Sequence, residues 1–225
     1  MLTLITTTDG SHTLRNETLQ ETYHSIHGAI QESMHVFIKH GLHYAIDRDQ
    51  DKQMNILEVG FGTGLNSLLT AVDEKASNVN ICYDTIEAFP VSLEHVRLLN
   101  YSDIVGRDKV GDLFDRLHQV SWGEVHSLKA GFTFRKIHSD LCKTQLEKSH
   151  YDIVYFDAFA PAKQPELWTL EIISLVVRSL KPRGIFVTYS AKGQLKRDLV
   201  GLRMKLEIQK GPPGKAEMTR AIKDK

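Results

Sequence analysis

The stretch "ILEVGFGTGLN", residues 56–66, constrains the fold more than any other: an apolar run meets glycines at 60, 62 and 64 and passes at once into a helical pattern. Glycine lets a backbone turn sharply and approach a ligand with no Cβ in the way, so this segment reads as strand, ligand-facing turn and helix start. The spacing narrows the choice of ligand. A dinucleotide fingerprint G-x-G-x-x-G needs a glycine at 65, where the chain has Leu65, and the GK[ST] of a P-loop is absent.

The alternation begun there continues along the chain. Strands are expected at 55–60, 80–87, 132–137, 152–157 and 184–190, with helices near 64–76, 91–100, 166–180 and 191–202. "KLEIQK" and "MTRAIK" flank the turn "GPPG" and complete the pattern as an antiparallel hairpin. The expected fold class is therefore α/β: a seven-stranded, mostly parallel, Rossmann-like sheet with helices on both faces and a closing antiparallel hairpin. Upstream, apolar residues at 30, 34, 37, 38, 42 and 45 keep a near-helical period, so 28–46 is expected to be a helix packed on the main domain, within an N-terminal helical extension over 1–50. The stretch 101–131 breaks the rhythm and reads as an insertion with a helix near 110–119. No repeat or Gly/Ser/Pro linker divides residues 1–225, and a single domain is expected.

Bulk composition excludes several classes of function. With 41% apolar and 25% charged residues the chain is expected to be globular rather than disordered. "MLTLITTTDGSHTLRNE" has no basic n-region, and no run of about 18 apolar residues occurs, so a soluble cytoplasmic protein without a membrane partner is expected. Cys82 and Cys142 lie far apart without a CxxC companion and read as reduced thiols. The histidine pairs His24/His27 and His40/His43 have i, i+3 spacing, but no Cys or HExxH-type pattern accompanies them, and no metal is expected. Net charge is zero, yet 178–225 carries 13 Lys/Arg against 4 Asp/Glu, a balance of +9 offset by −9 in the rest. Such a basic segment is either a solvated surface or a polyanion-binding face.

The strand ends carry the chemistry. Glu58 stands two residues before Gly60, Glu87 ends the strand "ICYDTIE", Asp140 follows the next one, and Asp157 ends "YDIVYF". A carboxylate at the end of an apolar strand must be paired, hydrated or protonated, so Asp157 should have something opposite it. Open α/β sheets bind ligands at this C-terminal edge.

The pattern E-x-G-x-G-x-G at 58–64 resembles the cofactor loop of class I S-adenosylmethionine-dependent methyltransferases. That resemblance implies S-adenosylmethionine as cofactor, with Glu58, Gly60, Gly62, Gly64 and Asn66 around its amino-acid and ribose portion, and Asp157 beside it. Glu87 would accept the ribose hydroxyls, Phe89 cover the adenine face and Asp140 meet the adenine amino group. "DAFAPAKQPELWT" at 157–169 is similar to the signature of the methyltransferase domain of the MnmC family of tRNA wobble-uridine modification proteins and its stand-alone, MnmD-like relatives. "YHSIHGAIQES", "VTYSAKGQLKRDL" and "GPPGKAEMTRA" also resemble that family, which spreads the likeness over nearly the whole chain. The bifunctional members carry a flavin-dependent oxidoreductase domain for which 225 residues leave no room, so only methyl transfer is implied.

The implied reaction moves a methyl group to the exocyclic amine of 5-aminomethyl(-2-thio)uridine in tRNA, with Asp157 as the catalytic residue that receives the amine N–H. Phe159, Pro161 and Lys163 are expected to touch the substrate base and its loop, and Lys192, Lys196 and Arg197 the tRNA backbone. Trp168 reads as a packing anchor. Two other readings compete: an aminopropyltransferase of the same fold, whose glycine loop normally has the consecutive glycines that "GFGTG" lacks, and a non-catalytic RNA-binding scaffold. The intact glycines and carboxylates speak against the scaffold.

Overall fold

The structure, a computed structural model, describes residues 1–224. The chain opens with three short strands, β1 (Leu2–Thr6), β2 (His12–Asn16) and β3 (Glu21–Thr22), paired antiparallel in a small sheet of their own. The helix expected over 28–46 is present, running from 29 to 49, whereas the first 28 residues of the extension are strand and turn. The alternating Thr and Leu of "LTLIT" put a single side chain at a time against the body, which suits a short strand better than a helix. Helix α1 runs without a break from 29 to 49, wound as a π-helix over Met34–His43. It is no appendage, since Val36, Phe37, Ile38 and Leu42 are fully buried in the core beneath one face of the main sheet.

That sheet contains β4 (Gln53–Val59), β5 (Asn80–Glu87), β6 (Val125–Lys129), β7 (Phe132–His138), β8 (Tyr151–Phe156), β9 (Leu180–Thr188), β10 (Met204–Lys210) and β11 (Glu217–Lys223) in the order β10-β11-β9-β8-β4-β5-β7-β6. The seven expected strands are present and an eighth joins them. Strand β6, inside the expected insertion, pairs antiparallel with β7 at the sheet edge and buries only Leu128, too little apolar pattern to announce a strand. The rest of the insertion is three short helices, α4 (Tyr101–Val105), α5 (Arg107–Val110) and α6 (Leu113–Gln119), after α3 (Leu93–Val96).

Strands β4, β5, β7, β8 and β9 are parallel, and β11 and β10 close the other edge antiparallel. Ile56, Tyr83, Phe134 and Tyr155 face α1, α2 (Leu65–Val72) and the insertion, whereas Leu57, Val154, Phe156 and Phe186 face α7 (Leu170–Ser179) and α8 (Gly193–Gly201). Because the chain leaves β4 for β5 on one side and returns to β8 on the other, the strand order reverses between β4 and β8. Such a switch point opens a crevice at the carboxyl ends of the two strands, and there Gly60 and Asp157 meet.

Candidate active site

The turn after β4 is set by what lies beside it. Gly60 has φ +93°, and a Cβ there would stand 2.7 Å from the Asp157 carbonyl oxygen, so this position requires glycine on two counts. Gly62, φ +51°, lies against the ring of Tyr23, whose Cδ1 would be 3.0 Å from an added Cβ. The turn borders a cavity of about 630 Å³ at the C-terminal edge of the sheet.

Gly60, Gly62, Glu87, Phe89 and Asp140 line the cavity. Glu87 accepts the Gly62 N–H at 3.0 Å and the Phe89 N–H at 2.8 Å, one on each oxygen, which fixes the carboxylate and leaves it lone pairs for hydroxyl donors. Phe89 is 77% exposed, a large apolar ring held at the rim with no protein surface to cover it. Asp140 accepts the Cys142 N–H at 2.9 Å, and that bond holds its carboxyl below the usual range.

Asp157, Phe159 and Lys163 line the same cavity. Asp157 Oδ2 accepts from Asn66 Nδ2 at 2.8 Å, and Oδ1 has no partner among the described residues. The carboxyl keeps some surface toward the cavity, yet the crowding around it pushes its pKa up to about 7. Burial is the main cause and the negative charge of Glu32 adds to it, against the Asn66 hydrogen bond and the positive charge of Lys215. The Phe159 backbone is pinned by Trp168, whose Nε1–H donates to its carbonyl at 2.8 Å while the indole packs edge-on to Phe156. Trp168 is buried and acts as the anchor of this loop.

Four expected contacts fall elsewhere. Glu58 is fully buried under the turn and does not line the cavity. Burial, and the charge of Asp157 among the further causes, hold its carboxyl well above the ordinary range. Its oxygens, the Tyr83 and Thr85 hydroxyls and Asn66 Oδ1 are buried together, near enough to temper that burial but closing no hydrogen bond of ordinary geometry. Gly64 and Asn66 sit at the start of α2, also outside the lining, and Asn66 reaches the site only through Asp157. Pro161 is outside the lining as well.

Part of the basic segment is paired within the fold. Lys196 pairs with Glu217 at 2.6 Å, Arg220 with Glu207 at 2.8 Å and Lys181 with Asp152 at 2.8 Å. Lys196 is therefore a poor candidate for a phosphate contact, whereas Lys192 and Arg197 stay exposed on α8, Arg197 donating only to Gln194. Among the described residues no group of three or more His, Cys, Asp or Glu is placed to hold a metal ion, and no helix is long and apolar enough to cross a membrane.

Several lining residues escape a reading by strand ends, because they arrive from distant segments. Tyr23 and His24 come from the small N-terminal sheet and its exit, Glu32 from α1, Tyr189 from the end of β9 and Lys215 from the β10–β11 turn. His24 Nε2 meets Thr63 Oγ1 at 2.7 Å, and burial depresses the imidazole to about 4, so a neutral histidine ties the N-terminal sheet to the glycine turn. Tyr23 packs edge-on to Phe159 with centroids 5.0 Å apart. Tyr189 donates its O–H to the Ala158 carbonyl at 2.8 Å. Nothing adjacent to Glu32 in the chain signals its place; it is buried in a helical turn with Ala29 and Ser33.

Residues 114–224 match a family described as S-adenosyl-L-methionine-dependent methyltransferase. The chain is 30% identical over 217 residues to the tRNA 5-methylaminomethyl-2-thiouridine biosynthesis bifunctional protein MnmC of Leptospira interrogans, which covers 90% of this chain and 32% of that protein. Its counterpart of the same name from Burkholderia multivorans is 29% identical over 203 residues, 83% of this chain and 30% of that protein. The chain thus spans about a third of the length of these curated relatives. The crystal structure of MnmC2 from Aquifex aeolicus superposes with a TM-score of 0.75 at 28% identity, over 98% of this chain and 70% of that one. The chain has the fold of the class I S-adenosyl-L-methionine-dependent methyltransferases, and over nearly its whole length it is similar to part of the MnmC proteins. Its cofactor is S-adenosyl-L-methionine, and the cavity suits that molecule: a fixed carboxylate with spare acceptor capacity, an uncovered aromatic ring and a turn without side chains lie along one wall.

Proposed function

We propose that this chain transfers a methyl group from S-adenosyl-L-methionine to the primary amine of 5-aminomethyl(-2-thio)uridine at the wobble position of tRNA, in the cytoplasm. The observation that carries the reading is Asp157, a crowded carboxylate with one oxygen held by Asn66, standing between the cofactor wall and an aromatic wall in one cavity. The names of the relatives, which concern 5-methylaminomethyl-2-thiouridine in tRNA, supply the acceptor.

Gly60, Gly62, Glu87, Phe89 and Asp140 would hold the cofactor, Glu87 through the ribose hydroxyls and Phe89 through the adenine face. When bound, the cofactor supplies an electrophilic methyl group on a sulfonium. The chain's part is to present a neutral amine to it. An alkylammonium has no lone pair, so one proton must leave before the N–C bond forms; the methylated nitrogen is then a secondary ammonium, and the sulfonium would leave as a neutral thioether. Asp157 accepts an amine N–H through the oxygen that Asn66 leaves open, and a carboxyl raised to about 7 is a better proton acceptor than an ordinary one. Phe159 and Tyr23 form the wall against which an unstacked base is held and water excluded. Lys163 lines the mouth, where a phosphate or sugar edge would pass.

Incubation of the protein with tRNA lacking the methyl group and with labelled cofactor, followed by nucleoside mass spectrometry, tests the reading. One methyl group on the aminomethyl nucleoside is expected. The carboxymethylaminomethyl nucleoside should be refused, because its carboxylate would enter a pocket that already holds Asp157 and Glu32. Methylation of a ring atom, or equal use of the carboxymethylated form, would remove this assignment.

A further inference from the structure

Beside Asp157 the cavity contains an ion pair whose cation comes from the far end of the chain. Lys215 Nζ donates to Glu32 Oε1 at 2.6 Å and stands 3.8 Å from the centroid of the Tyr189 ring. Glu32 Oε2 accepts the Ser25 N–H at 2.7 Å. Glu32 is buried and both partners line the cavity. Neither is saturated: a carboxylate has about four acceptor positions and an ammonium three donors. Both charges are felt at Asp157, which places them within electrostatic reach of the same acceptor group.

Resting on the acceptor proposed above, we infer that Glu32 and Lys215 read the Watson–Crick edge of the acceptor base and select a pyrimidine with an N3–H donor and a 4-oxo acceptor. Around a uracil ring N3–H, O4 and the C5 substituent follow one another. The cavity lining supplies the same three kinds of group: an acceptor, Glu32, a donor paired with it, Lys215, and the amine-binding carboxylate, Asp157. Glu32 takes the N3–H, Lys215 donates to O4, and the aminomethyl group on C5 turns to Asp157. Cytosine reverses both edge signals: its unprotonated N3 would face the Glu32 carboxylate and its 4-amino group the Lys215 ammonium. Single-stranded bases are commonly recognised on this edge, and a site built for particular hydrogen bonds rejects a mismatch strongly because its own groups are left unpaired.

The test uses two RNA hairpins identical except for one loop nucleoside, 5-aminomethyluridine or 5-aminomethylcytidine, with kcat/KM measured by transfer of labelled methyl. The wild-type protein should prefer the uridine hairpin by about 10²-fold or more. Lys215→Met should lower the uridine rate and bring the preference to within about tenfold, while calorimetry shows cofactor affinity changed by less than about twofold. Glu32→Gln, nearly isosteric, should raise use of the cytidine hairpin, since an amide can turn its N–H toward N3. A role confined to holding the turn would lower both rates together. Equal rates on the two hairpins in the wild type, or an unchanged preference in both variants, overturns the base reading alone. Methylation of neither hairpin overturns the acceptor assignment, and this inference with it.

Discussion

The two walls of the cavity are built differently. The cofactor wall is made of segments that each follow a strand of the sheet by one to three residues: the glycine turn after β4, Glu87 and Phe89 at the end of β5, Asp140 after β7. The acceptor wall gathers Tyr23 from the small sheet, Glu32 from α1, Asp157 and Phe159 from the end of β8, Tyr189 from β9 and Lys215 from the closing hairpin. Parallel register brings the strand ends level, Val59 opposite both Ile86 and Phe156, so the first wall follows from the sheet alone. The second exists only when segments nearly 200 residues apart have packed. The cofactor wall therefore keeps the function common to a broad class of folds, and the acceptor wall carries what is particular to this chain.

Substitution at Asp157 gives the largest separation of the two walls. Asp157→Asn should lower single-turnover methyl transfer by about 10²- to 10⁴-fold, because an amide cannot take the amine proton. Cofactor affinity measured by calorimetry should change only a few-fold. A parallel loss of both would mean that the walls are not separable.

The same variant should be more stable than the wild type at neutral and alkaline pH. The folded-state pKa of Asp157, about 7, lies above the ordinary value of 3.8, so the folded state holds its proton where the unfolded chain has released it. Its contribution is fully present below pH 3.8 and is lost as pH rises through about 7. The advantage of Asp157→Asn should thus be absent near pH 4 and level off above pH 7 at about 2–4 kcal/mol, reduced by whatever water the cavity admits. Chemical denaturation at pH 4, 6 and 8 measures it, and a constant difference across the series would refute the shifted pKa.

Glu87→Ala tests the opposite wall. Losing the acceptor for two hydroxyls should weaken cofactor binding by about 10- to 100-fold, while RNA binding without cofactor is unchanged. Calorimetry reports the first quantity and filter binding the second. Glu58→Gln should be nearly silent in both assays, since Glu58 lies outside the cavity and its burial favours the uncharged form, which an amide resembles in shape.

The smallest effect belongs to the basic surface. Removing the charge of Lys192 or Arg197 should lower the slope of log affinity for tRNA against log salt by about 0.7–0.9 each. Lys196→Ala should leave the slope nearly unchanged, because its charge is already spent on Glu217. Equal slopes for all three variants would return this face to the solvent.

The sequence by itself determined the alternating sheet, the glycine turn and the carboxylates at the ends of β5 and β8, because these depend on residues adjacent in the chain: an apolar run, a glycine, an acid. It also exposed Trp168 as an anchor. What it could not separate was a residue's presence from its placement. Glu58 belongs to the recognisable motif, yet strand alternation turns it into the core beside Tyr83 and Thr85, and the motif does not state which face of β4 the cavity occupies. The charge count of the basic C-terminal segment did not show that Lys196 is taken up by Glu217 and Lys181 by Asp152, while Lys192 and Arg197 stay exposed. Glu32 and Lys215 are 183 residues apart, and neither has a local partner pattern that announces a site. Only tertiary packing decided that pairing, since a charge buried in low dielectric is stable only where the fold supplies its counter-charge, and that partner can come from any part of the chain.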